Sequence, residues 1–168
     1  MQFAKDSVYV AFRDRLATIN PARVVQINGQ TRPAVLAVEN EPAEAPVKVP
    51  RYPNNFELHW AAAEAVGLSG NGKRPLMKLS CTVWYRTSGT DVSGADRGRV
   101  LGTMDSELQR ICSPPHTPKQ DYSQPEPLSL GSAVFWSSPK FEAVEESPGE
   151  LSRKAQLSVF YYPEVDIA

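Results

Sequence analysis

Two stretches of this chain alternate apolar and polar residues with period two: Met77-Lys-Leu-Ser-Cys-Thr-Val-Trp-Tyr-Arg86 and Arg153-Lys-Ala-Gln-Leu-Ser-Val-Phe-Tyr-Tyr-Pro-Glu164. Successive side chains of a strand point to opposite faces, so each stretch predicts a long strand with one buried face. In the first, Met77, Leu79, Cys81, Val83 and Tyr85 form the inner row. Between the two lies a different period: Leu101, Met104, Leu108 and Ile111 recur at offsets of three and four. This predicts an amphipathic helix from Val100 to Cys112, which Ser93 or Asp96 can cap and Ser113-Pro114-Pro115 ends. A second helix, capped by Asp6 or Ser7, runs to about Ile19, with Tyr9, Phe12, Leu16 and Ile19 on one stripe. Asn20-Pro21 stops it, because the residue before proline is pushed out of helical geometry.

Asn28-Gly29 predicts a two-residue hairpin, since both residues tolerate positive φ. Pro33 belongs at a strand start or edge, and Ala34 to Val38 is a short buried strand. Phe56 to Trp60 reads as a strand, with a helix over Trp60 to Val66 as the alternative, and 67–72 as a turn. Ala133 to Val144 and Ala155 to Tyr162 form a strand pair around the Glu145–Glu150 connection. The fold class is α+β: one domain over 1–168, a mixed or antiparallel sheet packed against two main helices.

Composition sharpens this picture at one point, the 15 prolines. Prolines 42, 46, 50 and 53 predict an extended, semi-rigid arm over 39–55, and Pro114, Pro115, Pro118, Pro125 and Pro127 predict a proline-rich loop over 113–130. Lys+Arg is 18 against Asp+Glu 19, so the formal net charge of -1 leaves no electrostatic footprint for general nucleic-acid binding. No apolar run approaches the roughly 20 residues that span a bilayer, and Met1-Gln-Phe-Ala-Lys-Asp-Ser lacks the layout of a signal peptide. With 2 cysteines, a disulfide framework is not expected, and a reducing cytoplasm is the expected folding site.

Candidate chemistry is sparse. Cys81, Cys112, His59 and His116 are the soft metal-ligand candidates, but none sits at the short spacing of a zinc site, and both cysteines read as core residues. Cys112 and His116 are four apart without the glycine-rich elbow of a nucleophile, and no phosphate or dinucleotide loop is present. The expectation is therefore no enzyme, no catalytic residue, no metal and no cofactor. Asp105, Glu107, Gln109 and Arg110 read as the polar side of their helix. Trp84, Trp136, Phe160 and Tyr162 carry more information. Trp84, Phe160 and Tyr162 fall on the polar sides of their strands, where a covering helix or a partner protein must account for them. The basic residues Lys73, Arg74, Arg86, Arg97 and Arg99 form either a solvated surface or one side of a contact with Glu142, Glu145, Glu146 and Glu150 of another copy.

The order of these pieces resembles the tail terminator proteins of long-tailed bacteriophages, of the lambda type. The matching segments are Asp6 to Ile19, Arg32-Pro-Ala-Val-Leu-Ala-Val38, Lys78-Leu-Ser-Cys-Thr-Val-Trp-Tyr85, Gly102-Thr-Met-Asp-Ser-Glu-Leu-Gln-Arg110 and Ala155-Gln-Leu-Ser-Val-Phe-Tyr-Tyr162, about half the chain. The resemblance implies a hexameric homo-oligomeric ring that caps the tail tube, ends its polymerisation and offers the surface for head–tail joining. Its implied partners are the tail tube protein and a neck or head-completion protein. DNA would pass through without specific binding, there would be no membrane contact, and the site of action would be the virion after assembly in the host cytoplasm. Interface candidates are then Val47, Val49, Trp84, Arg97, Arg99, Trp136, Phe160 and Tyr162, with Glu145, Glu146 and Glu150 lining the lumen. A head–tail connector or tail-tube protein is the nearest alternative; a small cytoplasmic enzyme or ligand-binding domain is the alternative of another class.

Overall fold

The period-two stretches become the two central strands of a mixed sheet, and both helices lie on one of its faces. The computed structural model describes residues 1–41, 50–68 and 74–164. Helix α1 (Gln2–Ile19) is followed by β1 (Val24–Ile27) and β2 (Gln30–Pro33), a separate two-stranded ribbon. Asn28 and Gly29 turn this ribbon with φ of 52° and 77°, the left-handed geometry that their sequence predicts. Strand β3 (Val35–Ala37), a 3-10 turn at Val38–Asn40, β4 (Phe56–Trp60), β5 (Glu64–Leu68) and the long β6 (Pro75–Thr87) precede α2 (Arg97–Ile111). After α2 come β7 (His116–Asp121), β8 (Leu128–Trp136), β9 (Lys140–Phe141), β10 (Glu145–Ser147) and β11 (Glu150–Tyr161).

Among the described residues the sheet runs β3-β4-β6-β11-β8-β7, with β5 beside β6 and with β9 and β10 beside β11. Strands β6 and β11 pair antiparallel along their length, from Thr87 opposite Leu151 to Met77 opposite Tyr161. The β3–β4 pair is parallel, which a tight turn cannot connect. The proline-rich segment 38–55 is that crossover, so its length is a topological requirement. Val47 and Val49, like all of 42–49, lie outside the described residues, as do Lys73 and 165–168.

The helical stripe and the strand rows meet as expected. Leu101, Met104, Leu108 and Ile111 are 0–2% exposed and share one apolar cluster with Leu79, Cys81, Val83, Leu157 and Val159. Phe12 and Leu16 of α1 join the same cluster. At roughly 1.5–3 kcal/mol for each large side chain withdrawn from water, this cluster is the main favourable contribution to stability. Among the described residues no helix is long and apolar enough to cross a membrane. The chain is a single α+β domain.

Several boundaries differ from the sequence reading for physical reasons. Helix α1 begins a turn before Asp6 and Ser7, so neither caps it. The Ser7 hydroxyl donates to Phe3 O at 2.7 Å and accepts from the Gln120 N–H at 3.0 Å, tying α1 to β7. Half of the 113–130 stretch is sheet: β7 occupies 116–121 and β8 begins at Leu128. Pro118 is tolerated because β7 is the outermost strand of the sheet order, where a missing N–H faces no ladder partner. Residues 113–115 and 122–127 remain irregular. Gly67, expected in a turn, belongs to β5, where a register shift between Ala65 and Gly67 takes up Val66 as a bulge. The Glu145–Glu150 connection is itself a hairpin, β10 turning into β11 through Pro148 and Gly149, whose φ of 79° only glycine adopts readily.

Candidate interaction surface

The face of the sheet away from the helices is half-exposed along both long strands, and among the described residues no helix lies over it. It carries every second residue of β6 and β11, and its aromatic groups gather at two places. Trp84 lies between His59, stacked on it with ring centroids 3.9 Å apart, and Lys154, whose Nζ stands 4.5 Å above the indole. Cross-strand register produces this row: Lys154 sits directly opposite Trp84, and β4 brings His59 alongside. About six residues further along β11, Phe160 stacks on Phe135 of β8 at 5.6 Å. Phe135 is 37% exposed, a large apolar ring held in place and facing outwards. Between the two aromatic groups Thr82, Gln156 and Glu142 form a hydrogen-bonded chain, with bonds of 2.9 Å and 3.3 Å.

One rim of this face is the foot of the proline-rich arm, which is firmly anchored. Arg51 Nη1 donates to Glu41 O at 2.7 Å, while Arg32 pairs with the Glu41 carboxylate at 2.8 Å. Arg86 donates to Pro50 O at 2.8 Å and to Arg51 O at 3.2 Å. The Arg51 N–H in turn donates to Glu57, a carboxylate only 1% exposed whose second oxygen lies 3.5 Å from His59 Nε2. Both ends of the arm are thus fixed beside the Trp84 row.

The expected site residues separate clearly. Trp84 and Phe160 lie on the open face. Tyr162, just past β11, is half-buried, and its carbonyl accepts from the buried Lys119. Trp136 is not an interface residue. It is 4% exposed, packs edge-on against Phe12 at 5.3 Å, and donates from Nε1 to Cys112 O at 2.9 Å. Its neighbour Phe135 has the outward position instead, a residue that the sequence reading passed over. The parity of Val134 and Trp136 against Ala133 and Phe135 was the available signal. Arg97 turns back to Gly94 O at 3.0 Å and shapes the loop before α2, whereas Arg99 is exposed. Glu150, expected in the lumen, pairs with Arg86 within the same chain. Glu145 and Glu146 are exposed on β10. Glu107, expected on a solvated face, is 5% exposed and bonded to Arg23 and to Asn20 Nδ2.

Cys81 and Cys112 are both buried free thiols. Burial pushes the Cys112 thiol up to about 12 and Cys81 higher still, so neither supplies a thiolate near neutral pH. Burial, together with the hydrogen bond to Asp105 at 2.5 Å, likewise holds the Tyr85 phenol protonated. Asp105 also meets Arg153 Nε at 3.1 Å, a polar tie from α2 to β6 and β11. Among the described residues no three His, Cys, Asp or Glu side chains come together as a metal site. These features define an α+β domain whose helix face is closed and whose opposite sheet face presents ordered aromatic groups. No protein-family model matches the chain, and no curated protein matches it.

Proposed function

We propose that this chain is a structural subunit of a bacteriophage tail, a terminator that caps the tail tube as a homo-oligomeric, hexameric ring and offers the surface for head–tail joining. The observation that carries this reading is the open sheet face. Phe135, Phe160 and Trp84 are held rigidly by stacking partners within the chain, yet no described helix covers them. Aromatic residues held in place on an accessible surface suit protein contacts, because they bring large contact area at little entropic cost. The order helix, hairpin, proline-rich segment, long strand, loop, amphipathic helix and late strands supports this reading through the terminator resemblance. Capping of this kind requires shape and charge complementarity and no covalent step. Its partners are further copies, the tube protein and a neck protein, with DNA passing through unbound.

Deleting the gene from its phage or prophage tests the proposal. The expected result is heads unjoined to tails, with tail tubes of uncontrolled length. Tubes of normal length with a joining defect alone would favour a head–tail connector, for which the same open face would serve. Fully infectious particles would contradict both.

A further inference from the structure

Two features of the surface remain unassigned, and they are complementary. The first is a groove of about 590 Å³ where the C-terminal ends of α1 and α2 meet, walled largely by apolar surface that includes Ile19, Thr18 and Pro114. Arg110 stands at its rim, exposed and without a partner among the described residues. Arg15 builds the opposite wall: its guanidinium donates to Ile111 O at 2.8 Å, Pro114 O at 2.7 Å and His116 O at 2.8 Å. Those bonds cover the last carbonyl of α2 and two carbonyls of the segment leading into β7, which would otherwise repel an approaching anion. Asp14, also at the rim, has its carboxylate on Arg13 at 3.0 Å.

The second feature is the β10 hairpin. Every residue from 142 to 149 is exposed, although the segment is ordered by pairing with β11. Val144 is 40% exposed and is followed directly by Glu145 and Glu146, neither of which has an ion-pair partner among the described residues. An exposed valine beside two acids matches an apolar groove beside an arginine, none of these charges having an ion-pair partner among the described residues.

The two features cannot meet within one copy. The hairpin adjoins Thr87 and the loop that leads into the N-terminus of α2, since Ser147 and Glu150 flank a turn next to the end of β6. The groove lies at the other end of α2, a helix of 15 residues and therefore about 22 Å long.

We infer that the hairpin of one copy docks in the α1–α2 groove of the next, Val144 entering the groove and Glu145 and Glu146 meeting Arg110. Different patches on each copy make a heterologous contact, which propagates head to tail until a ring closes. This rests on the ring reading above for the identity of the occupant and places Glu145 and Glu146 at the joint between copies, not in the bore.

Charge reversal tests it, with native mass measurement as the readout. Arg110→Glu alone, and Glu145→Lys with Glu146→Lys alone, are each expected to leave a folded monomer, with unchanged denaturation midpoints as the control for folding. Mixing the two variants is expected to restore the oligomer, because each new glutamate then faces a new lysine while the other joint keeps its native charges. Wild-type assembly by both variants, or failure of the mixture, would overturn the inference and leave the ring reading standing. Loss of assembly in the groove variant alone would show that another acidic surface occupies the groove, which also overturns it. A wild-type protein that never assembles would overturn both this joint and the ring.

Discussion

Glu107 shows how a single residue can be misjudged from periodicity. It flanks the apolar stripe of α2, three residues after Met104 and four before Ile111, and the chain after α1 folds over it. Arg23 and Asn20 then satisfy a carboxylate that is 5% exposed. Removing one partner of such a pair leaves a buried charge uncompensated, so Glu107→Ala is expected to cost about 3–5 kcal/mol. Glu146→Ala, on an exposed strand, is expected to stay within about 0.5 kcal/mol. Urea midpoints of the two variants check the contrast, and equal midpoints would contradict the buried pairing. The thiols give a pH signature at the same scale. Because burial raises Cys112 and Cys81 above their unfolded value, the folded state holds protons that the unfolded chain releases. Their stabilisation is complete below about pH 8.5, the ordinary cysteine value, and is lost as pH rises from there towards the folded values. The denaturation midpoint is therefore expected to be flat from neutrality to about pH 8 and to fall above it, and Cys112→Ala is expected to flatten that fall. An unchanged alkaline slope in the variant would contradict the assignment to Cys112.

At the scale of elements, the strongest periodicities were the legible ones. The alternation through Leu79, Cys81, Val83 and Tyr85 and the stripe through Leu101, Met104, Leu108 and Ile111 each have one buried face, and burial is what writes a period into sequence. Leu108→Ala is expected to cost roughly 2–5 kcal/mol, since its site is closed on all sides, and an unchanged midpoint would contradict the packing of α2 on β6 and β11. Strand β7 was illegible because its proline, Pro118, and its charges suit an edge, where sheet residues need no apolar pattern. Strand β5 was missed for a related reason, as its bulge at Val66 breaks the alternation. The candidate surface was half legible. Trp84 and Phe160 stood out against polar neighbours, but in β8 Phe135 and Trp136 are both large and aromatic, so only the contrast of Val134 with Ala133 marks the inward row. The same logic sets an expected order of amide exchange. The paired centres of β6 and β11 should exchange slowest, while β5 and β10, each with one open edge, should exchange early. Uniform protection across all four strands would contradict this hierarchy.

The whole molecule is asymmetric: one sheet face is closed by α1 and α2, and the other is left to ordered aromatic groups beside an arm anchored at both feet by Arg51 and Arg86. That asymmetry suits a subunit completed by its neighbours. Replacing Phe135 and Phe160 together by serine is expected to keep the fold, since both rings lie outside the helix-side cluster, and to remove assembly. Sedimentation of the native wild-type protein measures whether the proposed ring forms. A single closed oligomer, a hexamer, that persists on dilution is the expected result. A species of 18.5 kDa, the mass of one chain, at every concentration would contradict it.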